Sequence, residues 1–416
     1  MNLKLFPSSL QNHTKLVISG SKSETNRLLL LQALYPELTL ENTSDSDDAQ
    51  AMRQAIEQSK NNHPEKPVID VHHAGTAMRF LTAFFATQYN GEFTLTGSER
   101  MQQRPIKILV DALRQLGAEI DYLKEEGFPP LRIVGKVITQ RQIRISADVS
   151  SQYISALLLV APKLQNGLEL TLDGQITSLP YIKMTLALLD ELGIKTSFEN
   201  NFIRVWPAQE LKQNQLTVES DWSSASYWYS FISMSEIGTQ IQLSDFKQNS
   251  LQGDSALVQL YESLGVASAF LPKHILQLTK VSVPNTDFFQ ADLNASPDLA
   301  QTLVVSCLGL GIACQLTGLH TLKIKETDRL QALQTEIQKL GGNIQITSES
   351  LQLEASQNLN KDVSIATYQD HRMAMAFAPL ALRIPIEIEQ AEVVSKSYPE
   401  FWNDVQKAGI QSSKSA

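Results

Sequence analysis

The sequence repeats itself, and that feature limits the available folds most. The segments ILVDALRQLGAEI, LALLDELGIKT, LVQLYESLGVAS and LQTEIQKLGGNI each carry apolar residues at helical spacing into a Leu-Gly pair. A strand-like stretch follows each. Their glycines, Gly117, Gly193, Gly265 and Gly341, are 76, 72 and 76 residues apart. FWNDVQKAGIQ, with Gly409, reads as a degenerate copy. Glycine stops a helix well because it tolerates left-handed backbone. A second series keeps step with the first. DVHHAGTAMRF, DVSSQYISALLL, DWSSASYWYSF, DLNASPDLAQTL and DHRMAMAF begin at Asp70, Asp148, Asp221, Asp292 and Asp370, at spacings of 78, 73, 71 and 78. Each opens on Asp and short polar residues, which suit helix N-caps because their oxygens accept free backbone N–H groups. ISGSKSETNRLLLL has the same character without the Asp.

The chain therefore reads as about six copies of a unit holding two helices and several short strands. The unit is longer than common solenoid repeats and its two helices differ, so six copies in two globular halves fit 416 residues better than a solenoid. A boundary is expected near VESDW, residues 218–222. Similar units around a pseudo-symmetry axis aim equivalent helix N-termini one way, an arrangement that favours anions.

Composition narrows the function classes. With 43% hydrophobic and 19% charged residues the chain reads as a soluble globular protein. Its formal charge of −9 argues against nonspecific nucleic-acid binding, so any anion site must be a local concentration of Lys and Arg. Cys307 and Cys314 both lie in TLVVSCLGLGIACQL, which reads as one buried helix. Without CxxC or a Cys/His cluster, neither a disulfide framework nor a metal site is expected. MNLKLFPSSLQNHTK lacks an apolar signal core, and no apolar run approaches the ~20 residues that span a bilayer. The expected location is the cytoplasm.

Several polar helix starts could carry chemistry. SGSKSETNR places Lys22 and Ser23 at a helix start with Arg27 on the same face, although a capped helix with basic decoration reads equally well. It is not a P-loop, since GxxxxGK[ST] is absent. DVHHAGTAMRF puts Gly75 where backbone can approach a ligand closely, or where a tight turn needs it. His72 and His73 have no obvious metal-ligating partner. SERMQQRPI holds Arg100 and Arg104 in a loop, and Arg suits bidentate contact with carboxylate or phosphate. Ser150, Ser151 and Gln152 place two hydroxyls and an amide at one helix start, whereas a cap needs one Ser. SLPYIK supplies Ser178 and Tyr181, and NASPDLAQTL sets Asp298 near an apolar helix start, where the helix dipole alone would favour it. In KETDR, Lys325 and Arg329 are four apart, read as one helix face with Glu326 beside them. Asp328 in the same run reads as helix-start charge or a salt-bridge partner. YQDHRMAMAF places Arg372 at a helix start, and SKSYPEF places Lys396 in a loop.

Taken together, KETDR, DHRMAM, GTAMR and SKSxxNR, in this order and spacing, resemble the 5-enolpyruvylshikimate-3-phosphate synthase family of enolpyruvyl transferases. The resemblance runs from GSKSETNR to VVSKSYPEF. It implies an α/β fold, a two-domain inside-out α/β barrel with three βαβαββ units in each domain. Residues 1–20 and 220–416 would form one domain and 21–219 the other, with the active site between them. It implies a monomer without cofactor or metal, acting on shikimate 3-phosphate and phosphoenolpyruvate. Carried over residue by residue, Ser23, Arg27, Ser150, Ser151, Ser178 and Tyr181 hold shikimate 3-phosphate. Gln152 and Lys22 serve both substrates, and Lys22 assists the chemistry. Gly75, Arg104, Arg329, Arg372 and Lys396 surround phosphoenolpyruvate. Asp298 matches the proton acceptor at the 5-hydroxyl, Glu326 the donor to the methylene carbon, and Lys325 a group near the substrate hydroxyls.

The chain departs from the family pattern at three positions. His73 and Phe80 stand where Asn and Pro are usual, near Gly75, and bear on sensitivity to glyphosate, which occupies the phosphoenolpyruvate site in this family. Thr321 stands where many members have an Asn that binds shikimate 3-phosphate. Two alternatives are the related transferase acting on UDP-N-acetylglucosamine and a catalytically silent ligand-binding relative. The first usually has a Cys in a mobile active-site loop, and neither cysteine here lies in such a stretch.

Overall fold

In a computed structural model of the chain, which describes residues 1–60, 67–89, 91–146, 150–174, 176 and 179–415, the repeat glycines sit where helices stop. Gly117, Gly193, Gly265, Gly341 and Gly409 all take left-handed backbone, with φ of 101°, 81°, 81°, 88° and 98°. A side chain there would strain the turn that sends each helix into its strand. The Asp series is less uniform than the sequence suggests. Asp221 and Asp370 are N-caps, their carboxylates accepting the Ser224 and Arg372 backbone N–H groups. Asp70 and Asp292 instead end strands, and each accepts the N–H two residues ahead, from His72 and Asn294. Such a short-range bond competes with helix formation and delays the helix start. Asp148 lies outside the described residues.

One expectation needs correction. TLVVSCLGLGIACQL is not a single helix. The Ala300–Leu310 helix ends at Gly311, whose φ is 72°, and Ala313–Thr317 is a strand. Cys307 and Cys314 thus sit on different elements, and both are buried free thiols.

The chain divides into two units, Met1–Ser19 with Glu219–Ala416, and Gly20–Val218. Among the described residues, each unit holds three sheets. Five of the six are four-stranded, and all five have one pattern: a parallel pair, then two antiparallel strands. In the Gly20–Val218 unit, Val68–Asp70 pairs in parallel with Glu92–Thr96, Ile69 opposite Leu95. The sixth sheet shows only its parallel pair among the described residues, Gln215–Thr217 beside Thr39–Glu41. That is shorter than the βαβαββ expectation. In the other unit, sheets are closed by distant segments. Asn2–Leu5 pairs with both Ser412–Ser415 and Ile386–Ile388, and Thr14–Leu16 pairs with Gln240–Leu243.

Within each unit, three helices pack on one another at the centre. In the Gly20–Val218 unit they are Lys22–Leu34, Gly75–Ala86 and Ser151–Val160. In the other they are Trp222–Ser233, Ala300–Leu310 and His371–Phe377. Such helices must be apolar nearly all round. FLTAFFA, YISALLLV and YWYSFI meet that need, and Phe80, Leu157, Trp228 and Phe231 are fully buried. Each such large side chain contributes roughly 1.5–3 kcal/mol of burial free energy. The small hydroxyls among them satisfy one another: Ser306 donates to Ser230 at 2.8 Å, and Ser226 and Thr302 are 3.1 Å apart.

Candidate active site

Within each unit, polar residues of the motifs sit at or near the first turns of the central helices. In the Gly20–Val218 unit, the first helix starts at Lys22, capped by Ser21. Arg27 is almost fully buried one turn in. Its Nε donates to the Thr185 hydroxyl at 2.8 Å. Its Nη atoms donate to the Ser23 carbonyl at 2.7 Å, the Ser155 hydroxyl at 3.1 Å and the Tyr181 carbonyl at 3.4 Å. Its guanidinium also lies over the Phe80 and Tyr181 rings, at 5.5 and 5.8 Å. Burial lowers its pKa to about 10, even though Tyr181 and Glu24 oppose the shift. A cation held by neutral groups favours an anionic ligand. Lys22 faces the buried carboxylate of Asp48 at 3.7 Å.

Gly75 opens the second central helix, and its neighbour is Arg104. A Cβ at residue 75 would lie 2.6 Å from an Arg104 Nη, so only glycine allows that guanidinium so close to the helix backbone. Arg79, one turn on, donates to the Gly75 carbonyl at 3.1 Å and the Pro105 carbonyl at 3.1 Å. Burial, then the nearby Arg104 charge, brings its pKa to about 10. Ser150 caps the third central helix, Ser151 starts it, and the Gln152 amide donates to Thr76 at 3.2 Å. That bond ties two helix starts together. Ser178 lies outside the described residues.

The other unit gathers Asp298, Lys325, Glu326, Arg329, Arg372 and Lys396. Asp298 sits in the short turn Pro297–Leu299 that leads into Ala300–Leu310. Its carboxylate meets Arg329 at 2.8 Å, Arg372 at 3.1 Å and Lys325 at 3.4 Å. Burial pushes its pKa up, but Arg372, Lys325 and Arg329 outweigh it and hold the carboxyl well below the usual range. Glu326 pairs with Arg329 at 2.8 Å and Lys396 at 3.1 Å. Arg329 is 2% exposed, and its third nitrogen, Nε, donates to Asp370 at 2.6 Å. Burial lowers its pKa, but Asp370, Glu326 and Asp298 together raise it above the usual value. One guanidinium thus binds three carboxylates through three nitrogens.

KETDR departs from its sequence reading. Lys325 and Arg329 do not share a helix face, because the helix begins at Arg329 and Lys325 is extended. Asp328 is the N-cap, accepting the Gln331 N–H at 3.1 Å. Capping fixes the helix start there, leaving residues 325–327 free to point Lys325 and Glu326 at separate partners. Thr321 lies in the turn His320–Ile324, and its buried hydroxyl has no hydrogen-bond partner among the described residues.

The sequence pattern of the EPSP synthase (3-phosphoshikimate 1-carboxyvinyltransferase) family matches residues 11–405. The chain belongs to the EPSP synthase family. It is 46% identical to the 3-phosphoshikimate 1-carboxyvinyltransferase of Bacteroides fragilis strain YCH46 over 398 residues, covering 94% of each chain. It is 36% identical to the Shewanella pealeana enzyme of that name, covering 93% of this chain and 94% of that one. The structure of EPSP synthase from Acinetobacter baumannii matches with a TM-score of 0.80, covering 99% of this chain and all of that one. At 20% identity that likeness concerns the fold, a mixed α/β two-domain architecture.

Within this EPSP synthase family member, the three departures fall in different surroundings. Phe80 is inside the unbroken helix Gly75–Ala86, fully buried beneath Arg27. His73 is exposed just before that helix. Motif reading missed Ser223, Asp254, Asp370 and the Ser155–Thr185 pair. Ser223 accepts from Arg372 at 3.1 Å and donates to buried Asp254, whose pKa burial lifts to about 6. Asp370 stood in the Asp series with no role. The signal for it was its place one residue before a helix-opening His-Arg.

Proposed function

We propose that the two residue clusters act on one pair of substrates, transferring the carboxyvinyl group of phosphoenolpyruvate to the 5-hydroxyl of shikimate 3-phosphate. Arg27, with Ser23, Ser150, Ser151, Gln152, Ser178 and Tyr181, holds shikimate 3-phosphate. Lys325 and Thr321 reach toward its hydroxyl side. Gly75, Arg104, Gln152, Arg329, Arg372 and Lys396 surround phosphoenolpyruvate, and Lys22 serves both. Asp298 takes the proton of the attacking hydroxyl as its oxygen bonds to the enol carbon, C2. Glu326 gives a proton to the methylene carbon. The tetrahedral phosphoketal then expels inorganic phosphate, and loss of a methyl proton restores the double bond.

What supports this reading most is Arg329 joining Asp298 and Glu326 at 2.8 Å each. The base and the acid thus stand on either side of a cation suited to the enolpyruvyl carboxylate or phosphate. The same arrangement explains how two carboxylates so placed come into use. Phosphoenolpyruvate anions at Arg329 and Arg372 draw those cations from Asp298 and Glu326, raising the proton affinity of both. We further read each unit as three βαβαββ repeats in an inside-out barrel. The enzyme is taken as a cytoplasmic monomer needing no cofactor and, at net charge −9, avoiding nucleic acid.

Phosphate release tests the reading. With phosphoenolpyruvate and shikimate 3-phosphate together the chain releases phosphate at a rate that saturates in both. Release only when UDP-N-acetylglucosamine replaces shikimate 3-phosphate would assign it to the related transferase, and release with neither would make it a silent relative.

A further inference from the structure

Arg329 has a stability problem if it serves as above. Two of its three carboxylate contacts, to Asp298 and Glu326, engage the groups that must move protons. Substrate oxygens have to replace them. A buried guanidinium on a long side chain, released from two partners, gains several rotamers and loses its aim. Something must hold it through the exchange.

We propose that Asp370 is a positioning residue, the fixed anchor that keeps Arg329 aimed while its two Nη atoms trade Asp298 and Glu326 for phosphoenolpyruvate oxygens. The inference rests on the activity proposed above. Asp370 is fully buried, and its two oxygens have separate tasks. One accepts from Arg329 Nε at 2.6 Å and the other from the Arg372 backbone N–H at 2.9 Å. The same carboxylate therefore fixes the side chain of one proposed phosphoenolpyruvate cation and the backbone of the other. Nε is the guanidinium nitrogen that neither proton-transfer carboxylate uses.

The backbone leading to Asp370 is built at a cost. Tyr368 and Gln369 both have positive φ, 53° and 56°, in a turn closed by the Asp370 N–H on the Thr367 carbonyl at 2.8 Å. Two consecutive non-glycine residues in this region are strained unless their surroundings impose it. Glu336 imposes it. Its buried carboxylate accepts the Tyr368 hydroxyl at 2.6 Å and the Ala366 N–H at 3.2 Å. Glu336 stands two turns along the helix that begins at Arg329, so the two share a face. The helix carrying the guanidinium thus also braces the turn that presents its anchor. A capping role alone needs neither the strain nor the brace, since Ser or Asn at position 370 would cap as well.

Asp370→Asn separates the two tasks, keeping a cap acceptor and removing the charge. Expected are a rise of at least 10-fold in KM for phosphoenolpyruvate, a smaller loss in kcat, and a KM for shikimate 3-phosphate within threefold of the parent. Equal rises in both KM values, or a phosphoenolpyruvate KM within threefold, would overturn the assignment. A second measurement needs no Asp370 variant. In the parent protein labelled with 15N-arginine, and with the resonance assigned through Arg329→Lys, the Arg329 Nε–H signal is expected to stay protected and nearly unshifted on adding both substrates. Its Nη signals should move. An Nε–H that loses protection when substrates bind would sink the anchor. Absence of phosphate release by the parent would instead remove the activity on which the inference rests, and the inference with it.

Discussion

The two clusters hold their cations in opposite ways. In the Gly20–Val218 unit, Arg27 is packed among hydroxyls, carbonyls and aromatic rings, and burial brings its pKa down to about 10. In the other unit, Arg329 is matched by three carboxylates, which outweigh its burial and drive its pKa up. Among the described residues the first cation has no carboxylate in a salt bridge with it, and in the proposed reaction it would gain from an arriving phosphate. The second, in the proposed reaction, would give up partners to accept substrate. Readiness and restraint are thus divided between the units. The restraint falls on the side holding Asp298 and Glu326, the proposed proton-transfer groups.

Breaking the restrained side should have the largest effect. Asp298→Ala and Glu326→Ala are each expected to cut kcat at least ~100-fold, the usual scale for a proton-transfer group. KM for phosphoenolpyruvate should hold or fall, because each change frees a nitrogen of Arg329. Steady-state kinetics check this, and a near-normal kcat in either variant removes that residue from the mechanism. On the ready side, Arg27→Met should raise KM for shikimate 3-phosphate roughly 30-fold, in keeping with the loss of charge-assisted hydrogen bonds. It should leave KM for phosphoenolpyruvate close to the parent value. If both constants move together, the division between clusters fails.

Asp254 offers a test through pH. Its folded pKa of about 6 lies above the ordinary value near 4, so the unfolded chain ionises first as pH rises. The contribution of Asp254 to stability should therefore fall between about pH 4 and pH 6 and stay level above. Asp254→Asn escapes that loss and is expected to be about 3 kcal/mol more stable at pH 7.5, the difference vanishing below pH 4. Denaturant titration across this range measures it. A variant less stable than the parent at pH 7.5 would show that the Ser223 bond outweighs the burial cost. Smallest of all, Gly117→Ala should cost about 1 kcal/mol of stability by forcing a side chain into left-handed backbone, with kinetics unchanged. It marks the effect of a repeat position outside both clusters.

These differences track what the sequence could and could not convey. Periodicity and the Leu-Gly stops carried the repeat, because a helix end has a local cause: Gly117 and Gly341 need their backbone whatever surrounds them. The polar helix starts were legible for the same reason. Two readings failed where a local signal was overridden nearby. Gly311 split the cysteine-bearing run, although LGLG alone does not say which glycine stops the helix. The Asp328 cap moved the start of the KETDR helix four residues past Lys325. The partners were hidden altogether. Nothing in the sequence ties Arg27 to Thr185, 158 residues away, or Arg329 to Asp370, 41 away. Ser223 and Asp254 look like an ordinary helix start and a turn until the fold places them behind Arg372. Family resemblance pointed to Asp298, Glu326 and Arg329 but not to the contacts by which that one guanidinium joins the two carboxylates.

A crystal structure with shikimate 3-phosphate and an unreactive phosphoenolpyruvate analogue bound tests the exchange most directly, through the distances around Arg329. The prediction is that both Nη atoms lie within hydrogen-bond reach of ligand oxygens and that Nε remains on Asp370. Asp298 and Glu326 should have moved beyond that reach of the guanidinium, toward the attacking hydroxyl and the methylene carbon. An Arg329 still paired with both carboxylates, and the ligand bound elsewhere, would contradict the account.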